Sequence, residues 1–283
     1  MRAVGEPAAA RAAPTRVIDR SWTFVLGAQD PEMREIARVL RKDARPFFHA
    51  AKDGWLVSTK TAYEADGVMK LSRSGRSAQG VLLPREPAVF VECALNGREP
   101  LLRVDHHNPG DPGFEKGPEA FMEGSSLGQA LRLLEIEPTE TQRLLAAADH
   151  CLTAAYQGRC PGIDPHELLF MRASWRAKAW DRTLGDVVDG ILDSAREVRR
   201  HFDSESGESV FLDPTEVPPD LAEGAAYAGH PIRYRQFFPN GDLKEMLKGA
   251  TPEHIERFME AHRAAGRRVY GNPHRGYAGA YMH

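Results

Sequence analysis

Apolar positions along the chain fall into short blocks separated by punctuation. Thr23 to Leu26, inside SWTFVLG, is a β-branched and aromatic run closed by glycine, which predicts a strand. In the following QDPEMREIARVL, Met33, Ile36, Ala37 and Leu40 recur three and four apart, one face of a helix. Asp30, Pro31 and Glu32 mark its start: a capping carboxylate, a proline suited to the first turn, and an acid near the positive end of the dipole. Further strands are predicted at Pro46 to His49, Gly80 to Leu83, Ala88 to Cys93 and Leu101 to Val104. Apolar strands interleaved with helices predict an α/β fold with a parallel sheet covered on both faces. Ligands of such a sheet lie beyond the carboxyl ends of its strands. Asp30, Glu92 and Asp105 fall at those ends.

From Ser125 the pattern turns helical, first in SSLGQALRLLEI and then in PTETQRLLAAADHCLTAAYQG, which opens on a threonine cap and closes on glycine. Residues 164–202 predict two charged helices broken near Gly185. After LDPTEVPPD, a small α+β unit is expected: strands at Pro231 to Phe238 and Leu243 to Leu247, a helix at Pro252 to Ala265, and a glycine-rich end. The reading divides the chain into a disordered tail (1–18), an α/β metal-binding domain (19–162), a helical connector (163–210) and a small α+β substrate-binding domain (211–283).

Composition narrows the function. With 283 residues and 42% hydrophobic content the chain can build a substantial core, and a formal charge of -3 does not favour long polyanions such as nucleic acid. Cys93, Cys151 and Cys160 lack the spacing of a zinc site or a disulfide framework and read as reduced thiols. No apolar run approaches the roughly 20 residues of a membrane span, and the first residues lack the apolar stretch of a secretion signal. A cytoplasmic protein is expected.

The candidate chemistry gathers at the sheet edge. Glu92, Asp105, His106, His107, Asp149 and His150 offer oxygen and imidazole donors without thiolate, a mixture suited to manganese, magnesium or iron. Each piece alone also fits a polar turn or a solvated helix face. Cys93, next to Glu92, would point to the opposite face of a continuing strand.

The order of these pieces resembles the DHH phosphoesterase family. The resemblance rests on AQDPEMR (28–34), VFVECA (89–94), VDHH (104–107), GSSLGQAL (124–131) and AAADH (146–150), and spans about residues 22–160. More weakly, YGNPHRGYAGAY stands where the family's C-terminal domain carries a glycine-rich substrate loop. The resemblance implies hydrolysis of a phosphodiester or phosphoanhydride bond with one or two Mn2+ ions, or Mg2+ or Fe2+. It implies Glu32, Glu92, His106 and Asp149 as metal ligands, His107 as the substrate-contacting histidine, and Asp105 as its brace. It also implies Arg233, Arg235, Gly271, Asn272, His274, Arg275, Gly276 and Tyr277 as substrate contacts. The expected partner is a small phosphorylated substrate, a nucleotide or short oligonucleotide; a homodimer is one allowed assembly.

The first motif departs from the family. Ala28 stands where a histidine ligand belongs, Glu32 and Glu92 replace aspartates, and Arg34 replaces a second aspartate. A guanidinium cannot ligate and repels a dication, so at least one metal position should weaken, with Asp30 or His150 as compensating donors. Arg34 would instead hold a phosphate. Two other readings stay open: a non-catalytic nucleotide-binding relative, and a metal enzyme of other chemistry on the same scaffold.

Overall fold

Strand β1 (Thr23–Leu26) is buried along its whole length, as a run without polar alternation must be. In the computed structural model, which describes residues 19–72, 78–81 and 88–282, it forms the centre of the first sheet. The tail expected at 1–18, and Leu82 and Leu83 of the strand expected at 80–83, lie outside the described residues. Strands β2 (Phe47–Lys52) and β6 (Ala88–Val91) flank β1 in parallel, and β7 (Leu102–Val104) continues in parallel beyond β6. On the other side the sheet turns antiparallel through β4 (Gly67–Leu71) and β5 (Ala78–Val81), with the short β3 (Trp55–Leu56) folded back on β2. The sheet expected to be parallel is thus parallel at its centre and antiparallel along one wing. The wing begins at Asp53 and Gly54, whose φ angles of 52° and 78° make the left-handed turn a two-residue hairpin needs.

One face of this sheet is covered by α1 (Pro31–Lys42), α3 (Ser126–Leu133) and α4 (Glu140–Tyr156), with the single turn α2 (Phe121–Gly124) leading into α3. Phe24, Leu26, Met33, Ile36, Leu40, Leu127 and Leu131 are fully or almost fully buried there. Each contributes roughly 1.5–3 kcal/mol by leaving water. The other face, with Val25, Phe90 and Cys93, is covered by irregular chain carrying Val57, Ala62, Ala65 and Leu95 rather than by helices. Cys93 is buried on that side, with its thiol toward Val25 O at 3.5 Å. Cys151 and Cys160, apart in sequence, bring their sulfurs to 3.0 Å as free thiols.

The connector consists of α5 (Pro165–Trp180) and α6 (Leu184–Arg200), broken at Asp181, which takes a left-handed φ of 51° just ahead of Gly185. The second sheet follows, with β8 (Phe202–Asp203), β9 (Glu208–Phe211), β10 (Ile232–Phe237), β11 (Leu243–Lys248), β12 (Val269–Asn272) and β13 (Tyr277–Tyr281) in the order β12-β13-β11-β10-β9-β8. Helix α7 (Leu221–Ala228) packs with α6 on one face and α8 (Pro252–Ala264) on the other. Asp220 and Glu223, 0% and 3% exposed, are clasped by Arg172, Arg176 and Arg182, and Tyr156 of α4 donates to Glu223 at 2.7 Å. No helix among the described residues is long and apolar enough to cross a membrane.

Gly27, directly after β1, has its N–H bonded to Val91 O at 2.9 Å. A Cβ there would stand 2.3 Å from Glu92 O and 3.1 Å from Val91 O, both backbone atoms. Gly27→Ala is therefore expected to destabilise the fold by about 1–3 kcal/mol, read as a lowered midpoint in thermal or urea unfolding; an unchanged midpoint would show that the two strand ends yield freely.

Candidate metal centre

The cluster gathers at the carboxyl edge of the first sheet, with Glu32, Glu92 and His106 at or beside element ends and Asp149 within α4. Glu92 follows β6 with a φ of 49°, a left-handed conformation that side chains rarely adopt. Such backbone persists only where the surroundings enforce it, often at functional sites. Glu32 lies in the first turn of α1, whose N-cap Asp30 accepts from Met33 N at 2.7 Å. Asp105, His106 and His107 follow β7, and Asp149 and His150 lie on α4 next to Cys151, whose φ of −150° and ψ of 48° break the helix there.

Glu32, Glu92, His106 and Asp149 each place one donor atom within 4.8 Å of the others. Glu32 is 1% exposed; its Oε1 accepts the Leu127 N–H at 2.8 Å, a backbone donor at the start of α3, while Oε2 has no hydrogen-bond partner. The Nε2 of His106 lies 3.3 Å from Glu92 and 3.1 Å from Asp149. Glu92 Oε1 and His106 Nε2 are likewise buried without a well-formed hydrogen bond. Asp149 is the open side of the cluster, its side chain 27% exposed.

The histidine pair sets the tautomer. His150 Nε2 faces the Lys116 carbonyl at 2.8 Å and must donate to it, so a neutral His150 accepts on Nδ1. His106 Nδ1 is 3.0 Å from that atom and donates. Neutral His106 therefore turns the lone pair of Nε2 toward two carboxylates, an arrangement that calls for a cation between them. Burial alone would lower the His106 pKa, but Asp149 and Glu92 together raise it to about 10, so a proton occupies that position when nothing else does. Burial and the charge of His106 lower His150, despite the Lys116 carbonyl, in keeping with its accepting role.

The carboxylates carry the same signature. Burial, then Asp149 and Glu92, push Glu32 well above the usual carboxylate range. The same causes raise Asp30 to about 7. Asp149 opposes its own burial through its hydrogen bond from His106 and is lowered to about 2. Two buried carboxylates, each with an unpartnered oxygen, and the more open Asp149 around one imidazole fit a single divalent cation. The donor set, three carboxylates and one imidazole without thiolate, suits manganese, magnesium or iron.

Asp105 braces the neighbouring turn. It is fully buried, and its Oδ1 accepts the backbone N–H of His106 at 2.8 Å and of His107 at 3.1 Å. The same oxygen lies 3.0 Å from His107 Nδ1, leaving His107 Nε2 for another partner. Two side chains that local sequence did not single out complete this brace. Tyr63 donates its hydroxyl to Asp105 at 2.9 Å, and Gln129 donates to the Asp105 and Gly124 carbonyls at 3.0 and 2.8 Å.

The remaining candidates are placed as follows. Arg34 is exposed on α1. Two residues past Glu32, it lies roughly 200° around the helix from it and outside the cluster. Gly271 to Tyr277 form an ordered hairpin in which Asn272 Oδ1 accepts from Arg275 N at 3.2 Å, Gly276 takes a φ of 63°, and the Gly276 carbonyl accepts from Gly249 N at 2.8 Å. His274 packs edge-on against Phe114, with ring centroids 5.4 Å apart, so this hairpin meets the loop that follows His107. Arg233 and Arg235 stand elsewhere, on the α8 face of the second sheet beside Glu208 and Glu245. Strand β10 lies inside the sheet, between β9 and β11.

Asp30 yields a pH prediction. Its pKa rises from 3.8 to about 7 on folding, so the folded chain holds a proton that the unfolded chain releases. The associated stability is fully present below pH 3.8 and is lost as pH rises to about 7. Asp30→Asn keeps the capping oxygen. It is expected to flatten the fall in thermal midpoint of metal-stripped protein across that window; an unaltered slope would assign the titration to another group.

No protein-family model matches the chain, and no curated protein matches it significantly. Among solved structures, it is similar to a pGpG-specific phosphodiesterase, PggH from Vibrio cholerae, at 12% identity over 93% of each chain, with a TM-score of 0.43.

Proposed function

We propose that this chain is a divalent-metal-dependent phosphoesterase, hydrolysing a phosphodiester or phosphoanhydride bond in a small nucleotide or short oligonucleotide. The observation that carries this reading is the convergence of Glu32, Glu92, Asp149 and His106, whose donor atoms all lie within 4.8 Å of one another. The order of the motifs along the chain, resembling the DHH phosphoesterases, supplies the reaction class. A divalent ion held there, manganese by preference, supplies Lewis acidity for activating water and for screening a phosphoryl group.

The chain's own groups do the rest. Asp105 fixes His107 with Nε2 free to hydrogen-bond a phosphoryl oxygen or the leaving group. Asp149, on the open side, faces the incoming substrate. The hairpin at Asn272 to Tyr277, joined to the catalytic side through His274 and Phe114, is assigned the far end of the substrate. Lys248, at the end of β11, belongs to the same junction: with Thr153 of α4 it lines a cavity of about 110 Å³, and burial, then Arg176, lowers its pKa.

A non-catalytic nucleotide-binding protein is the second reading, favoured by Ala28 and Arg34 in the degraded first motif. Titration with manganese, followed by a screen of bis-p-nitrophenyl phosphate, dinucleotides including pGpG, cyclic dinucleotides and pyrophosphate, separates the two. Metal-dependent release from at least one is expected. Bound metal with no release from any would overturn the phosphoesterase reading, and absence of metal binding would favour the second.

A further inference from the structure

Along β10 the side chains alternate. Ile232 and Tyr234 enter the core shared with α6 and α7, and Arg233 and Arg235 point to the opposite face. Helix α8 packs on that face over β12 and β13 and reaches Glu208 of β9 through His254. Between helix and sheet lies a groove of about 380 Å³ whose walls include Arg233, Arg235, Arg257 and Arg267. Its volume falls in the range of small-molecule sites. None of its lining residues belongs to the metal cluster or to the first sheet.

Two carboxylates, each 2% exposed, organise the lining: Glu245, which is part of it, and Glu208, which pairs with Arg233 and His254 from behind. Arg233 spans both, with Nη1 3.2 Å from Glu208 and Nε 3.0 Å from Glu245, and Arg235 Nε lies 2.8 Å from Glu245. His254 faces Glu208 at 3.3 Å. His262 Nε2 faces Glu245 at 3.5 Å and its Nδ1 accepts from Arg267 at 3.0 Å. The acids thus hold the cationic side chains in fixed orientations, with four guanidiniums against two carboxylates leaving a net +2 when the histidines are neutral. Arg257 and Arg267 are not paired with Glu208 or Glu245: Arg267 bonds His262, and Arg257 has Glu253 of its own helix as an acidic neighbour. Phe258 and Ala261 add an apolar wall.

We propose that this groove binds a phosphate dianion, carried by a small organic ester, at a site separate from the metal centre. Arg267, bonded on one side to the His262 ring, and Arg257, exposed on α8 with Glu253 one turn before it, together match the charge of the dianion and can bond its oxygens in pairs. The apolar wall and the volume accommodate the esterified part. The proposal stands whether or not the metal centre hydrolyses phosphoesters, since the two sites share no residue.

Calorimetric titration of the full chain, stripped of metal, with ribose 5-phosphate, a nucleoside 5′-monophosphate and inorganic phosphate tests it. Binding of one ligand per chain is expected. The double variant Arg257→Ala, Arg267→Ala should weaken it by at least about tenfold, since each loses a charge-assisted hydrogen bond. His106→Ala should leave it unchanged. Tighter binding of an ester than of inorganic phosphate supports the proposal; equal or tighter binding of inorganic phosphate overturns the role given to the apolar wall and with it the ester. Binding that survives the double substitution, binding lost in His106→Ala, or no binding of any probe overturns it. Arg257→Glu, at an exposed helix position, repeats the test if the double variant fails to match the parent's thermal midpoint.

Discussion

His106→Ala is expected to lose divalent-metal binding, by at least about a hundredfold in affinity, and with it all metal-dependent turnover. The imidazole is the single nitrogen donor of the four-residue cluster, and its Nε2 is the atom closest to both Glu92 and Asp149. Its orientation is fixed from behind by His150 and the Lys116 carbonyl, so no neighbour can take over without moving that chain of hydrogen bonds. Truncation also removes the group that carries a proton between the acids. The metal-free variant should therefore unfold at lower temperature near neutral pH than the metal-free parent. Calorimetric metal titration with circular dichroism as a fold control checks both statements. Stoichiometric metal retained by folded His106→Ala would place the ion elsewhere.

Glu32→Gln should act in opposite directions on stability and on metal. The carboxylate is buried, one oxygen is already satisfied by Leu127 N–H, and the other is unpartnered among acids. An amide keeps the acceptor and adds a donor toward those acids. Metal-free Glu32→Gln is expected to gain about 1–2 kcal/mol, a rise of a few degrees in thermal midpoint, while affinity for the divalent ion falls. The sign with pH follows from the direction of the shift. Because folding raises this carboxyl above its usual 4.5, the parent's metal-free stability is intact below that pH and declines as pH rises through the folded value. The advantage of the variant should be absent in acid and grow toward neutral pH. Differential scanning calorimetry across that range reads it, and a variant less stable than the parent at pH 7 would sink the argument.

Much of this was legible where one short segment carried several agreeing signals. Asp30, Pro31 and Glu32 ahead of Met33, Ile36 and Leu40 announced α1, which starts at Pro31 with Asp30 as its cap. The breaks were less legible. LLAAADHCLTAAY reads as one continuous helix, yet Cys151 leaves helical geometry beside the two histidines that bond across elements, a tertiary effect no local periodicity encodes. Strands β12 and β13 carry glycine and alanine where alternating bulk would mark a strand, so they read as loop. Asp53-Gly54 was a hairpin signal in plain view, but the strands around it are short and mixed in character. Tyr63 and Gln129 reach Asp105 across 42 and 24 residues, distances over which side-chain spacing says nothing. Glu32, Glu92 and His106 were readable because each stands at or beside the end of an element; the brace was not, because Tyr63 and Gln129 sit inside helical turns.

The acidic pair at the start of α7 bears on how the two sheets can move. Asp220 holds Arg176 and Arg182 on either side of the break between α5 and α6, and Glu223 ties Arg172 to Tyr156 on α4. Swinging the sheets apart at that break would strand a buried carboxylate, at a cost of roughly 3–5 kcal/mol. The connector is thereby a strut and not a hinge.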